Sequence, residues 1–213
     1  MKLKHLGIFG IISLLSYTAM VVFSPLAYPG YNWLSMAVSD LSAAGAPSQA
    51  LAEQLNALFG PCGIVSIMAV CVAVRQCETK TFRLGIYCFA AMEWVTVVGY
   101  KMFPLLSGAD MSAFQNIIHI AVTVLVVLLS IASLILIAIG ARKTYPSISV
   151  WAMICLATMI IGAIGTGVMP KEVFGLFERF STFSAVVYNA VLGVYLLTGR
   201  FEKQQSIKRS DNS

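Results

Sequence analysis

Eight ionisable side chains stand at one end of the long apolar runs of this chain: Asp40, Lys101, Asp110, His119, Lys171, Glu172, Glu178 and Arg179. Ionisable groups at the edge of apolar spans are costly, and they tend to face the interior of a bundle or one another. An unpaired charge at this depth is penalised, so Asp40 with Arg179 and Glu178 with Lys101 are the expected pairings. His119 changes charge near physiological pH and can join either pair. The arrangement predicts an outward-opening polar pocket with Asn116, His119 and Tyr100 at its floor and Ser39 beside Asp40. Each member also has a plainer role. Glu178 and Arg179 can anchor a helix start, Lys101 can reach up to the headgroups, and His119 can be a hydrogen-bonded interior histidine.

Glu93 stands apart, near the middle of an apolar run. A charged carboxyl there is heavily penalised. It is either a proton or cation site of a transporter or a neutral acid hydrogen-bonded to a neighbouring helix. Asn189, near the middle of the last run, reads as an interhelical hydrogen-bonding residue. No HExxH, GxSxG, GxGxxG or phosphate-loop pattern occurs. The two histidines, His5 and His119, cannot build a three-histidine zinc site, and they fall at opposite ends of their runs. Ser39, Asp40 and His119 are the residue types of a nucleophile and its base, but residues so common carry no such assignment. No catalytic residue, metal or cofactor is assigned. The five cysteines include no CxxC pair, and four lie in apolar runs, where cysteine behaves as a small hydrophobe.

These side chains must be positioned by elements suited to lipid. Of the 213 residues, 59% are hydrophobic and 11% charged, with a mean hydropathy of +0.85. A soluble domain carries roughly 25% charged residues. Six spans of about 20 residues each fit the length, giving a single membrane domain over 1–199 and a polar tail over 200–213. Of the fourteen Lys and Arg, all but Lys101, Lys171 and Arg179 fall at the end of the spans that carries the termini. The positive-inside rule places that end, with both termini, in the cytoplasm of a bacterial inner membrane. The basic balance thus reports orientation and anionic-lipid contact; no nucleic-acid patch is present.

The expected spans are Leu6–Leu26, Leu51–Val74, Leu84–Phe103, Ala113–Ile139, Ile148–Met169 and Gly175–Thr198. The first is too long for a signal-peptide core and lacks a cleavage site, so it reads as retained. Gly7, Gly10 and Ser13 give it a close-packing face. Pro61 should kink the second span and free the carbonyl near Ala57. Gly162, Gly165 and Gly167 offer a close-approach face for a neighbouring, partner or second-copy helix. Between the first two spans, Pro29–Ser48 reads as an amphipathic surface helix of about three turns. Asn32 is its N-cap, Leu34, Ala37, Val38 and Leu41 form one face, and Gly45-Ala46-Pro47 stops it.

The segments YNWLSMAVSDLSAAGAP (31–47), FPLLSGAD (103–110) followed by His119, and GLFERF (175–180) together resemble the prokaryotic six-span membrane family catalogued as domain of unknown function 998. The likeness runs over nearly the whole chain. It implies an all-α six-helix membrane bundle and no activity. SDLSAAGAP alone is faintly similar to the Frag1/DRAM/Sfk1 membrane proteins, some of which are tied to lipid organisation. The sequence therefore favours a protein whose outer pocket binds a membrane lipid or other amphiphile. The alternatives are a small proton- or ion-coupled transporter using Glu93, a lipid-acting enzyme with His119 as base, and an accessory subunit that binds no ligand.

Overall fold

The structure is a computed structural model and describes residues 2–75, 79–108 and 110–202. Cys77 and the polar tail from 203 onward lie outside the described residues. The described chain is helical, and its only β pairing is an isolated bridge between Ala44 and Leu106. Its α-helices are α1 (Ile8–Phe23), α2 (Val38–Leu41), α3 (Gln49–Leu55), α4 (Phe59–Val74), α5 (Lys80–Met102), α6 (Phe114–Ala141), α7 (Pro146–Val168) and α8 (Phe174–Leu197).

Six segments are long and apolar enough to cross a membrane: Leu3–Ala27, Gln49–Val74, Lys80–Met102, Phe114–Ala141, Pro146–Val168 and Lys171–Leu197. They match the expected runs, and the chain is a multi-pass membrane-type bundle. Successive spans pack side by side, and the ring is closed by α1 against α8, with α4 also touching α8. One end of the bundle carries the connectors 28–48 and 103–113 and is called here the cap end. The opposite end carries residue 2 and residue 202 and is called the terminus end.

Glycines set the close approaches. A Cβ on Gly7 would collide with the Gly193 carbonyl, and one on Gly10 would stand 2.8 Å from Ser66 Oγ and 3.1 Å from the Asn189 carbonyl. The Gly7–Gly10–Ser13 face is therefore a packing face, as its spacing predicts. A Cβ on Gly162 would meet the α8 backbone at 2.5 Å, and one on Gly165 would enter the Phe177 ring. Both glycines are thus used within the chain, whereas Gly167, the third of that face, meets nothing within 4 Å.

The second span is interrupted at Asn56–Leu58, one turn before Pro61. Proline has no amide hydrogen and crowds the carbonyl four residues back. The helix therefore restarts so that Pro61 falls in the first turn of α4, where amides need no partner within the helix. The Phe59 amide bonds the Asn56 carbonyl and leaves that of Leu55 without its usual donor. Two α1 serines serve the interruption: Ser16 Oγ donates to the Leu55 carbonyl at 2.6 Å and Ser13 Oγ to that of Phe59 at 2.8 Å.

The stretch from Asn32 departs from the expected three-turn helix. Only α2, a single turn, is helical. Asn32 does turn the chain, since its Oδ1 accepts from the Leu34 amide at 3.0 Å and its carbonyl from the Met36 amide at 2.8 Å. Ala37 then runs extended. The carbonyls of Trp33 and Met36 accept from Arg179 and that of Leu34 from the Leu176 amide. Three carbonyls that a longer helix would use internally are thus turned to α8. Val38 and Leu41 are still buried, against Tyr17, Met20, Ala52 and Val186.

Candidate functional site

The polar residues assemble into three groups rather than one pocket. The first is a clasp at the start of α8. Arg179 Nη1 donates to the carbonyls of Gly175 at 2.7 Å, Trp33 at 2.8 Å and Met36 at 3.1 Å, and Nη2 donates to Tyr31 Oη at 2.6 Å. Tyr31 Oη passes its own hydrogen to the Ala37 carbonyl at 2.8 Å. Glu178 Oε2 accepts from the Val38 amide at 2.6 Å, at the first turn of α2, where a carboxylate complements the exposed amides. Asp40 Oδ2 accepts from the Ala37 amide at 2.9 Å, the side-chain half of a capping box.

Arg179 therefore does not pair with Asp40 by direct contact. It acts on Asp40 only through its field: burial pushes the carboxyl above its usual range, while the Ala37 amide and the nearby guanidinium pull it back. Burial likewise raises the Tyr31 phenol, against the pull of Arg179. Ser39 is partly buried within α2, beside the Glu178 contact.

The second group holds the α5–α6 connector. Asn116 is fully buried. Its Oδ1 accepts from the Leu106 amide at 2.9 Å and its Nδ2 donates to the Asp110 carbonyl at 3.1 Å. His119 Nδ1 lies 2.9 Å from the Phe103 carbonyl. A carbonyl only accepts, so Nδ1 carries the hydrogen, and in the neutral ring Nε2 keeps its lone pair. Tyr100 lies against the imidazole with ring centroids 5.0 Å apart and bonds Thr123 Oγ1 at 3.1 Å. Lys101 is exposed on the same end of α5 and does not bridge to Glu178. Asp110 is exposed, and the Ser112 amide holds its carboxyl below the ordinary range.

The two connectors are themselves joined. The Ala44 amide donates to the Leu105 carbonyl at 2.7 Å, and the Ser107 amide to that of Ala44 at 3.0 Å. Gly45 and Gly108 turn the chain beside this bridge at φ of +87° and +72°, values that favour glycine. A hydrogen-bonded cap thus runs from α8 through 31–48 and 103–108 to α6.

The third group lies in the middle of the bundle. Glu93 on α5 is 3% exposed, and Asn189 on α8 is 2% exposed. Asn189 Nδ2 donates to Glu93 Oε1 at 2.9 Å and reaches the Gly63 carbonyl on α4 at 3.3 Å. The space a Gly63 side chain would need is ringed by Ser13 Oγ at 3.1 Å, Asn189 Nδ2 at 3.3 Å and Glu93 Oε2 at 3.4 Å. Four spans therefore converge on one polar centre. Asn189 Oδ1 and Ser66 Oγ are buried there without a hydrogen-bond partner.

Buried polar atoms without partners are few in native proteins, and each asks for water, an ion or a proton. The centre holds one carboxyl, an amide oxygen and hydroxyls. That set can take up a proton or hold water between helices.

Sequence reasoning identified Glu93 and Asn189 separately, but not their contact. It read Tyr31 as a headgroup-depth aromatic rather than as a partner of Arg179, and it passed over Ser16, whose role depends on which carbonyl another helix leaves free, and Ser66. The serine pair Ser13 and Ser16, on one face of α1, was the available signal.

No curated protein and no solved structure matches the chain. The fainter likeness to Frag1/DRAM/Sfk1 proteins gains no support. The family model described as protein of unknown function (DUF998) matches residues 11–195, which include the clasp, the cap and the Glu93 centre. The chain belongs to the DUF998 family of membrane-type helical proteins of unknown function.

Proposed function

We propose that this chain is a small proton-coupled membrane transporter in which the Glu93 carboxyl takes up and releases the proton. The supporting observation is the buried carboxyl itself. It lies inside the bundle, is bonded by the Asn189 amide, and has no cationic partner among the described residues, with unpartnered oxygens nearby. An ionisable residue inside a membrane bundle marks proton and ion pathways more often than it serves packing. The other polar clusters already have structural work: Glu178, Arg179 and Asn116 hold the cap. On this reading the basic residues of the terminus end lie in the cytoplasm and the cap lies outside.

The test is proton flux into liposomes containing the purified chain and an entrapped pH dye, under an imposed membrane potential. Flux above that of empty liposomes is expected for the unaltered chain, and its loss for Glu93→Gln. Equal flux in both proteins removes the reading.

A second reading, binding of a membrane lipid or other amphiphile at the cap end, is favoured by one observation. Lys101 is exposed beside Tyr100 and His119, whose rings lie tilted against each other, and the connector contact uses His119 Nδ1 and leaves Nε2. Mass spectrometry of the purified chain tests it. A retained lipid should be lost when Lys101 and His119 are both replaced by Ala. A folded, lipid-free chain contradicts it.

A further inference from the structure

We propose that water reaches Glu93 from the cap end, through the seam between α1 and the interrupted second span, and that the terminus end is sealed to it. The inference rests on the proton-transport reading and adds the side from which the carboxyl exchanges its proton.

The two directions away from Glu93 differ in chemistry. Towards the terminus end, α5 presents Phe89, Ile86 and Phe82 at the four-, seven- and eleven-residue steps that keep a helical face. From Gly63, α4 presents Ile67, Val70 and Val74 at the same steps. All six side chains are fully buried in one apolar cluster. Ser66 Oγ, one turn below Gly63, still belongs to the polar centre; past it, these six side chains offer water no polar partner. Towards the cap end, the α1–α4 seam carries Ser13 and Ser16, the carbonyls of Phe59 and Leu55, and Asn56 at the interruption. Asn56 Oδ1 is buried without a donor, as is Asn189 Oδ1 at the centre.

The unpartnered amide oxygens thus stand at the two ends of a seam lined by hydroxyls and carbonyls. Buried water typically bridges two to four such groups. Non-helical backbone at membrane depth is tolerated where it lines a water-filled cavity or is buried in protein. The interruption at Asn56–Leu58 lies nearer the cap end than Gly63, so the polar groups of the seam step from the centre towards that end. The length of α5 agrees, since Glu93 is nine residues from Met102 and thirteen from Lys80.

The groups facing Glu93 are Ser13 from α1, the Gly63 backbone from α4 and Asn189 from α8. On α6, His119 is bonded to Phe103 at the cap end, and on α5 Tyr100 is bonded to Thr123.

The test uses single cysteines in the full chain, its native cysteines replaced by Ala, in membranes of known sidedness. A charged, membrane-impermeant thiol reagent is the probe. Ser16→Cys and Asn56→Cys should react from the cap side, whereas Val70→Cys and Ile86→Cys should react at least tenfold more slowly from either side. Reaction at Val70→Cys or Ile86→Cys from the terminus side, or inertness at both seam positions, overturns the route.

Hydrogen exchange on the unaltered chain covers variants that do not fold. Residues 56–59 should exchange while 67–74 stay protected, and equal protection of both also overturns it. Thiol labelling reports where water goes and not whether protons cross. Labelling without Glu93-dependent flux defeats the transport reading alone, and flux without seam labelling defeats the route alone.

Discussion

Replacing Arg179 with Ala should release the cap without unfolding the bundle. The guanidinium makes four hydrogen bonds, three to carbonyls and one to Tyr31 Oη, and stands 5.9 Å from the Tyr31 ring centre. A hydrogen bond to a charged group is worth about 1.5–3 kcal/mol net. The contributions do not add, because the Trp33 contact is exposed and water replaces it. The Met36 and Gly175 carbonyls and Tyr31 Oη are partly buried and lose more. The local loss is then about 3 kcal/mol, or roughly a hundredfold in the population of the opened cap, at 1.4 kcal/mol per tenfold. Amide hydrogen exchange reads this directly, since local opening sets the rate. The Val38 amide, bonded to Glu178, and the Leu176 amide, bonded to the Leu34 carbonyl, should each lose about a hundredfold protection. Amides in the apolar cluster around Ile67 and Phe89 should keep theirs. Unchanged protection at Val38 and Leu176 would refute the clasp; equal loss throughout would show that Arg179 supports the whole bundle.

Three further outcomes are expected. Gly162→Ala should destabilise the α7–α8 contact by about 1–3 kcal/mol, the usual cost of overpacking, because its Cβ would stand 2.5 Å from the Ser181 amide nitrogen. Gly167→Ala meets nothing within 4 Å and should leave the thermal midpoint in detergent unchanged. Asp40 titrates above its ordinary value in the folded chain. The folded state therefore holds that proton more readily, and this group's contribution is greatest at acid pH. It declines as pH rises from the ordinary carboxylate range through the raised value. Asp40→Asn keeps an oxygen for the Ala37 amide and should flatten that limb in a pH series of unfolding midpoints.

Much of the fold was legible because lipid demands long apolar runs and helices. What escaped reading follows from tertiary competition for backbone groups. The spacing of Leu34, Val38 and Leu41 is helical, yet Arg179 and the Leu176 amide take the carbonyls a longer helix needs. Pro61 announced a break, but its place depended on where α1 could offer Ser16 to the Leu55 carbonyl that the interruption frees. The shared depth of the charges near the cap was visible. Their partners were not, because Asp40, Glu178 and Arg179 bind backbone rather than one another. Gly162 and Gly165 looked equally suited to a partner helix or to α8, and only packing assigns them to α8.

The most direct test of the account is the infrared carboxyl band of Glu93 in lipid membranes as the pH is stepped. A protonated-carboxyl C=O band that grows and fades with pH is expected. It should be absent from Glu93→Gln and shifted in Asn189→Ala, which removes the amide donor at 2.9 Å. A spectrum indifferent to both substitutions, or a band that never responds to pH, would contradict a proton-carrying Glu93.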